Sequence, residues 1–150
     1  MRRSLLLLAA LAVLAVPAST AASSSDLKAA IQVVRSNGYR VDSTRTWEPS
    51  FKLNVLIGTY AKSADGYNRR AFFFYRARYL GTDAKAPSSQ LQEVWRDDRT
   101  IALLYILYTR DDPLCCPTGG GKIVRFRWNG SRLVALDPIP TNDYDAPLHR

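Results

Sequence analysis

Residues 122–136, KIVRFRWNGSRLVAL, constrain the fold more than any other stretch of the chain. Apolar and charged side chains alternate on both sides of Asn129-Gly130, which is the period of a β-strand with one buried face. Asn and Gly both accept positive φ, so the pair predicts a two-residue type I′ turn. The expected hairpin then has an apolar face of Val124, Phe126, Trp128, Leu133 and Ala135 and a basic face of Arg125, Arg127 and Arg132.

Four upstream segments are also predicted as strands, at residues 52–61, 71–80, 91–95 and 100–108, and the first two follow the same two-residue period. In the 71–80 strand, Arg76 and Arg78 fall on the same side as Phe72 and Phe74. The 100–108 segment, TIALLYILY, is apolar on both faces and is expected to be the most buried strand.

Before these strands the apolar period changes to that of a helix. Leu27, Ala30, Ile31 and Val34 form one stripe, and Gly38 is a good left-handed stop. We therefore predict a helix at residues 26–36. The fold class that follows is α+β, with one N-terminal helix packed on an antiparallel β-meander of about five to six strands.

The chain begins with the layout of a secretory signal peptide. Arg2 and Arg3 precede an apolar run that is much shorter than the roughly 20 residues of a membrane-spanning helix, and small residues follow it. We expect cleavage near Ala21 or Ala22, which gives a signal peptide at 1–22. Because this segment has no cysteine to carry a lipid, a soluble secreted protein without a transmembrane segment is expected. The remaining chain is predicted as one domain at 23–141 and a loose tail at 142–150.

Cys115 and Cys116 are the only cysteines, and they are adjacent. In an oxidising compartment they can bond to each other, stay as free or exchanging thiols, or pair between molecules. A bond between neighbours closes a small ring, which fixes a local bend rather than the whole fold. The surrounding DDPLCCPTGGG agrees with a rigid corner, since Pro113 and Pro117 restrict φ on either side.

No pattern for catalysis, a metal or a cofactor is found. The only histidine, His149, lies in the predicted tail, so no cysteine–histidine pair is expected. Structural zinc sites need four Cys or His ligands, and the chain has three such residues. Two acidic pairs, Asp97-Asp98 and Asp111-Asp112, are interpreted as turn residues that bond local backbone.

The formal net charge of +8 favours anionic partners. The candidate residues for anion binding are the strand arginines Arg76, Arg78, Arg125, Arg127 and Arg132. They form one basic face only if their strands are neighbours, and the alternative is an ordinary solvated sheet face. The expected partners are an anionic envelope polymer, a lipid surface or another envelope protein. Nucleic acid is not expected for an exported chain.

The second half of the chain combines YLGT at 79–82, the IALLYILY strand, the cysteine-proline-glycine loop and VRFRWNGSRLVALDPIP at 124–140. With these motifs, about residues 71–141 resemble the LppP/LprE family of actinobacterial envelope lipoproteins. This resemblance implies an envelope location and supports the fold, and it implies no enzymatic activity. Family members usually carry a lipidated cysteine after the leader, which this sequence lacks, so the resemblance does not extend to anchoring.

Together these observations predict a non-enzymatic, exported binding or interaction module of the envelope. The alternative is a redox-active or thiol-dependent protein that uses Cys115 and Cys116.

Overall fold

The structure is a computed structural model that describes residues 24–150, so the predicted signal peptide lies outside the described residues. It begins with helix α1 (Ser24–Ser36), which has Asp26 in its first turn and Arg35 in its last. These charges suit the two ends of the helix dipole. The helix ends where Gly38 takes a φ of +83° and donates its N–H to the carbonyl of Arg35 at 2.9 Å.

Ten strands follow among the described residues. They are β1 (Tyr39–Val41), β2 (Leu53–Tyr60), β3 (Arg69–Tyr75), β4 (Arg78–Thr82), β5 (Leu91–Arg96), β6 (Thr100–Ile106), β7 (Tyr108–Thr109), β8 (Gly121–Trp128), β9 (Leu133–Ala135) and β10 (Leu148–His149). The first sheet has the order β1-β2-β3-β4, the second has the order β5-β6-β8-β9, and β7 pairs with β10. All of these pairings are antiparallel.

The helix and the two larger sheets form three layers. One apolar cluster lies between the sheets, where Phe73 of β3 packs on Phe126 of β8 with ring centroids 5.1 Å apart. A second cluster lies between α1 and the first sheet and contains Val34, Phe72 and Phe74. The successive phenylalanines of β3 therefore serve different clusters, because side chains alternate across a strand.

The α+β class with an N-terminal helix on antiparallel sheet is confirmed in this coarser form, but two details are wrong. Ten strands in three sheets replace a single meander of five to six. The predicted 71–80 strand is a hairpin, in which Arg76 and Ala77 take positive φ of 48° and 62° between β3 and β4. Neither residue is a Gly or Asn, so the usual signal for such a turn is missing.

The most buried strand is β2 rather than the 100–108 segment. Residues 53–59 are all buried, because the first sheet is the middle layer and is covered on both faces. In β6, Leu104 and Ile106 are only partly buried. The first sheet covers only one face of the second sheet. Apolar residues on both faces of β6 do not by themselves reveal whether another layer covers its second face.

Residues 148–150, the last part of the segment predicted as a loose tail (142–150), are held against the fold. His149 pairs with Tyr108 and stacks on its ring at 5.9 Å, and it is buried. Arg150 is also buried and donates to the carbonyls of Pro140, Ala86 and Pro87. These contacts join segments that are distant in sequence, which a local pattern cannot reveal.

Candidate functional site

The outer face of the second sheet is the most unusual surface of the described chain. Its register places Leu104 beside Ile123 and Ala102 between Trp95 and Arg125. Trp95 and Ile123 are each 53% exposed, although both are large and apolar. Exposed apolar surface of this kind commonly marks a site of association.

Two of the predicted arginines lie on this outer face, because their neighbours Val124 and Phe126 point into the core. Arg125 is engaged by Asp137, whose carboxylate accepts from its Nε and Nη2 at 2.9 Å each. This contact holds the pKa of Asp137 down at about 2 and raises the pKa of Arg125. Arg127 makes no side-chain hydrogen bond or ion pair within residues 24–150 and is exposed. Arg127 is therefore the unpaired cation of this face.

Arg76 and Arg78 belong to the first sheet and do not complete that face. Arg76 lies in the turn between β3 and β4, and its guanidinium is 5.8 Å from the ring centroid of Tyr75. The guanidinium of Arg78 lies 5.5 Å from the ring centroid of Trp128, which also stacks on Tyr75 at 5.3 Å. Both arginines thus pack on aromatic rings where β3 and β4 meet, which is a cation–π arrangement.

Arg132 lies in the loop between β8 and β9, where the predicted register is wrong. Trp128 pairs with Leu133, so the loop has four residues rather than two. Gly130 alone takes positive φ, at 102°. The Asn129 side-chain oxygen accepts from the N–H groups of Ser131 and Arg132 at 2.9 Å each. That side-chain cap favours the longer loop. The shift of two residues keeps Val124, Phe126 and Trp128 on the buried face, but Arg132 leaves the strand and Ala135 is exposed.

The loop between β7 and β8 carries the cysteine pair. Cys115 and Cys116 are joined by a disulfide and are exposed. The N–H of Cys116 donates to the carbonyl of Pro113 at 2.9 Å, which closes a turn around the pair. The hydroxyl of Tyr108, a buried residue, donates to the carbonyl of Leu114 at 3.0 Å and ties this turn to β7.

Asp112 holds both ends of the same loop together. Its carboxylate accepts from the N–H of Thr109 and from the N–H and hydroxyl of Thr118, each at 2.7 Å. These bonds lower the pKa of Asp112, mainly through the Thr118 N–H. The interpretation of this aspartate as a turn residue is confirmed. Pro117 follows the disulfide and precedes Thr118, and Gly120 takes the positive φ of 77° within the glycine run.

A family model described as LppP/LprE lipoprotein matches residues 45–131. The chain belongs to this family. The match begins earlier than the resemblance predicted, in the segment before β2, and ends in the loop after β8. Searches of curated proteins and of solved structures found no match. LppP/LprE membership indicates an envelope-associated, extracytoplasmic protein.

The LppP/LprE region contains the cysteine loop and most of the exposed sheet face. Within residues 24–150, no helix has both the length and the apolar character needed to cross a bilayer. No group of three or more His, Cys, Asp or Glu side chains in the same part of the chain is arranged for a metal ion.

Sequence reasoning did not single out Trp95 or Ile123. The sequence could have indicated Ile123, because side chains alternate along a strand and Ile123 falls on the same face as Arg125 and Arg127. Both arginines were predicted to face away from the core. Trp95 gave no such signal. Its orientation depends on an irregularity between Glu93 and Trp95, which shifts the pairing by one residue and turns the indole outward beside Ala102.

Proposed function

We propose that the protein is an exported, non-enzymatic binding module of the bacterial envelope, and that it docks on anionic lipid through the outer face of the second sheet. The observation that carries this proposal is the exposure of Trp95 and Ile123 on the same sheet face as the unpaired Arg127. Export through a leader cleaved near Ala21 or Ala22 is part of the proposal and rests on the sequence pattern.

The chemistry of this face suits the boundary between lipid headgroups and acyl chains. An indole has an apolar body and one polar N–H, and tryptophan is enriched in such interfacial belts. Arginine can bury its apolar stem while the guanidinium stays among the phosphates. A basic residue near an anionic leaflet contributes about 1 kcal/mol to binding. The LppP/LprE match supports a location where such lipids are within reach.

Vesicle sedimentation tests this proposal. Vesicles that contain phosphatidylglycerol should retain the protein, and vesicles of phosphatidylcholine alone should retain much less. Arg127→Gln should weaken retention about fivefold, as expected for loss of one cation at an anionic surface. Trp95→Ala and Ile123→Ala should also weaken it, because each removes apolar surface that would enter the interface.

Leu114→Ala and Lys62→Gln are the matched controls, because both residues are exposed and lie outside the second sheet. They should bind vesicles as the unaltered protein does. Equal retention of the Trp95 and Leu114 variants would reject this face as the dock. Retention on an anionic polymer or an envelope protein that depends on Trp95, without retention on vesicles, would assign the face to a different partner.

A second candidate function is thiol–disulfide exchange at Cys115 and Cys116, which the exposure of both residues favours. In that reaction an external thiolate attacks one sulfur and releases the other as a thiolate. Equilibration with glutathione buffers, followed by alkylation and mass spectrometry, measures the reduction potential of the pair. A potential below about −300 mV, as in ordinary structural disulfides, would remove this candidate.

A further inference from the structure

A groove lies on the helix side of the molecule, away from the outer face of the second sheet. It has a volume of about 460 Å³ and lies between α1 and the segment that continues from β1. Its lining residues are Ile31 and Arg35 of α1 together with Arg40, Val41, Asp42, Ser43, Thr44 and Arg45. A groove of this size accommodates a small organic molecule.

The charges around this groove are not balanced. Three arginines line it, and none of their side chains makes a hydrogen bond or an ion pair with any other residue of 24–150. Asp42 is the one carboxylate in the lining, and it is already engaged. Its Oδ1 accepts from the hydroxyl of Thr59 at 2.7 Å, and its Oδ2 is 3.5 Å from Nε of Arg69. A concave surface with excess positive charge attracts anions.

The groove also offers neutral donors and an apolar contact. β1 is an edge strand of the first sheet, so one side of its backbone is not paired with another strand of the described chain. The Ser43 hydroxyl accepts from the N–H of Arg45 at 3.1 Å and keeps its own proton available for donation. Ile31 and Val41 are partly buried and supply apolar surface next to the arginines.

Trp47 anchors the segment that carries Arg45. The N–H of Trp47 donates to the carbonyl of Thr44 at 3.0 Å. The Trp47 side chain is buried against Phe74, with ring centroids 5.6 Å apart. Since this anchor fixes the backbone before any ligand arrives, less ordering entropy is lost on binding.

We propose that this groove binds the phosphate group of a small phosphorylated molecule, with the guanidinium groups of Arg35, Arg40 and Arg45 as its main ligands. The planar fork of donors on arginine matches phosphate oxygens, often in pairs of parallel bonds. Ile31 and Val41 contact the carbon atoms next to the phosphate. The site is separate from the proposed lipid dock, because the first sheet and the apolar cluster between the two sheets lie between them.

Amide NMR titration of the purified protein tests this site. Sodium phosphate and glycerol 3-phosphate are added at constant ionic strength, with sodium chloride as the reference. Saturable shifts are expected around residues 31–45. Arg40→Gln and Arg45→Gln should each weaken binding about tenfold, since each removes charge-assisted hydrogen bonds. Lys85→Gln, which removes an equal charge from an exposed loop, should change the affinity less than twofold.

Vesicles with phosphatidylglycerol form a third arm, with Trp95→Ala as the background so that the sheet face contributes little. Retention that is lost with Arg40→Gln identifies a lipid headgroup as a source of the phosphate, and saturation by glycerol 3-phosphate alone identifies a soluble source. Unchanged melting temperatures of the arginine variants exclude unfolding as the cause. The proposal is overturned if no probe saturates, or if binding survives replacement of all three arginines.

Discussion

The phenolic hydroxyl of Tyr105 donates a hydrogen bond of 2.8 Å to Oδ2 of Asp83 in the buried interior. Oδ1 of the same carboxyl accepts from the N–H of Ala71 at 2.9 Å. Burial raises the pKa of Asp83 in spite of these bonds, because desolvation disfavours the charged form. Burial also raises the pKa of Tyr105, and the nearby Asp83 adds to this effect.

Asp83 should therefore make stability depend on pH. A carboxyl whose folded pKa is raised stabilises the fold below its unfolded pKa, and this contribution is lost as the pH rises through the folded pKa. Asp83→Asn keeps an oxygen for Ala71 and removes the titration. Urea unfolding from pH 4 to pH 8 should show the variant gaining stability relative to the unaltered protein as the pH rises. Carboxyls with a lowered pKa, such as Asp112 and Asp137, contribute equally to the stability of both proteins, so their effect cancels in the difference between the two.

Asp111→Asn is the control for this experiment, because Asp111 is exposed and its side chain makes no hydrogen bond within the described residues. It shows the effect of the same substitution at an exposed carboxylate. A stability difference between Asp83→Asn and the unaltered protein that stays constant from pH 4 to pH 8 would contradict the assignment of a raised pKa to Asp83.

The ion pair of Glu93 and Arg96 should contribute to stability through its burial. Their side chains are only 10% and 11% exposed, and Arg96 also donates to Oδ1 of Asn54 at 3.1 Å. Glu93→Gln removes the counter-charge and leaves a buried guanidinium with neutral acceptors. We expect the free energy of unfolding to fall by about 3 kcal/mol. Lys52→Gln, at the exposed pair with Asp98, should cause no measurable loss in the same urea titrations.

These predictions depend on contacts that the sequence showed only in part. Strand alternation correctly separated Phe126 from Arg127, because side-chain parity is a local property of a β-strand. The register of the same hairpin depends on the Asn129 side chain, and a dipeptide rule cannot decide whether that side chain caps the loop.

The candidate site shows the same limit more strongly. Five arginines in predicted strands were grouped as one candidate site, but Arg78 lies in the first sheet and Arg127 in the second. Asp137 engages Arg125, which only the chain path after β9 determines. The groove arginines lie in helix, strand and loop, so no single periodicity connects them.

The disulfide should contribute less to stability than the aspartate that organises its loop. A ring between adjacent residues restricts few unfolded conformations, so Cys115→Ser with Cys116→Ser should lower the free energy of unfolding by less than about 1 kcal/mol. Asp112→Ala removes the acceptor of three hydrogen bonds, so it should lower the melting temperature more than the double serine variant does. Thermal unfolding with and without reductant compares these effects. A larger loss in the serine variant would assign the disulfide a role in the whole fold.

Arg150 should fasten the end of the described chain to the loop before β5. Its Nη1 donates to the hydroxyl of Ser88 at 2.7 Å and to two carbonyls of the same loop. Arg150→Met keeps the apolar stem but leaves these buried acceptors without a donor, which should cost about 3 kcal/mol of unfolding free energy. Hydrogen exchange at residues 141–150 should accelerate as well. Arg132→Met, in an exposed loop, provides the control.

Because Arg150 also lowers the pKa of Asp83, its removal should extend the loss of stability with rising pH. Slow exchange at 141–150 in the Arg150 variant would show that the strand pairing of His149 holds this segment without the guanidinium.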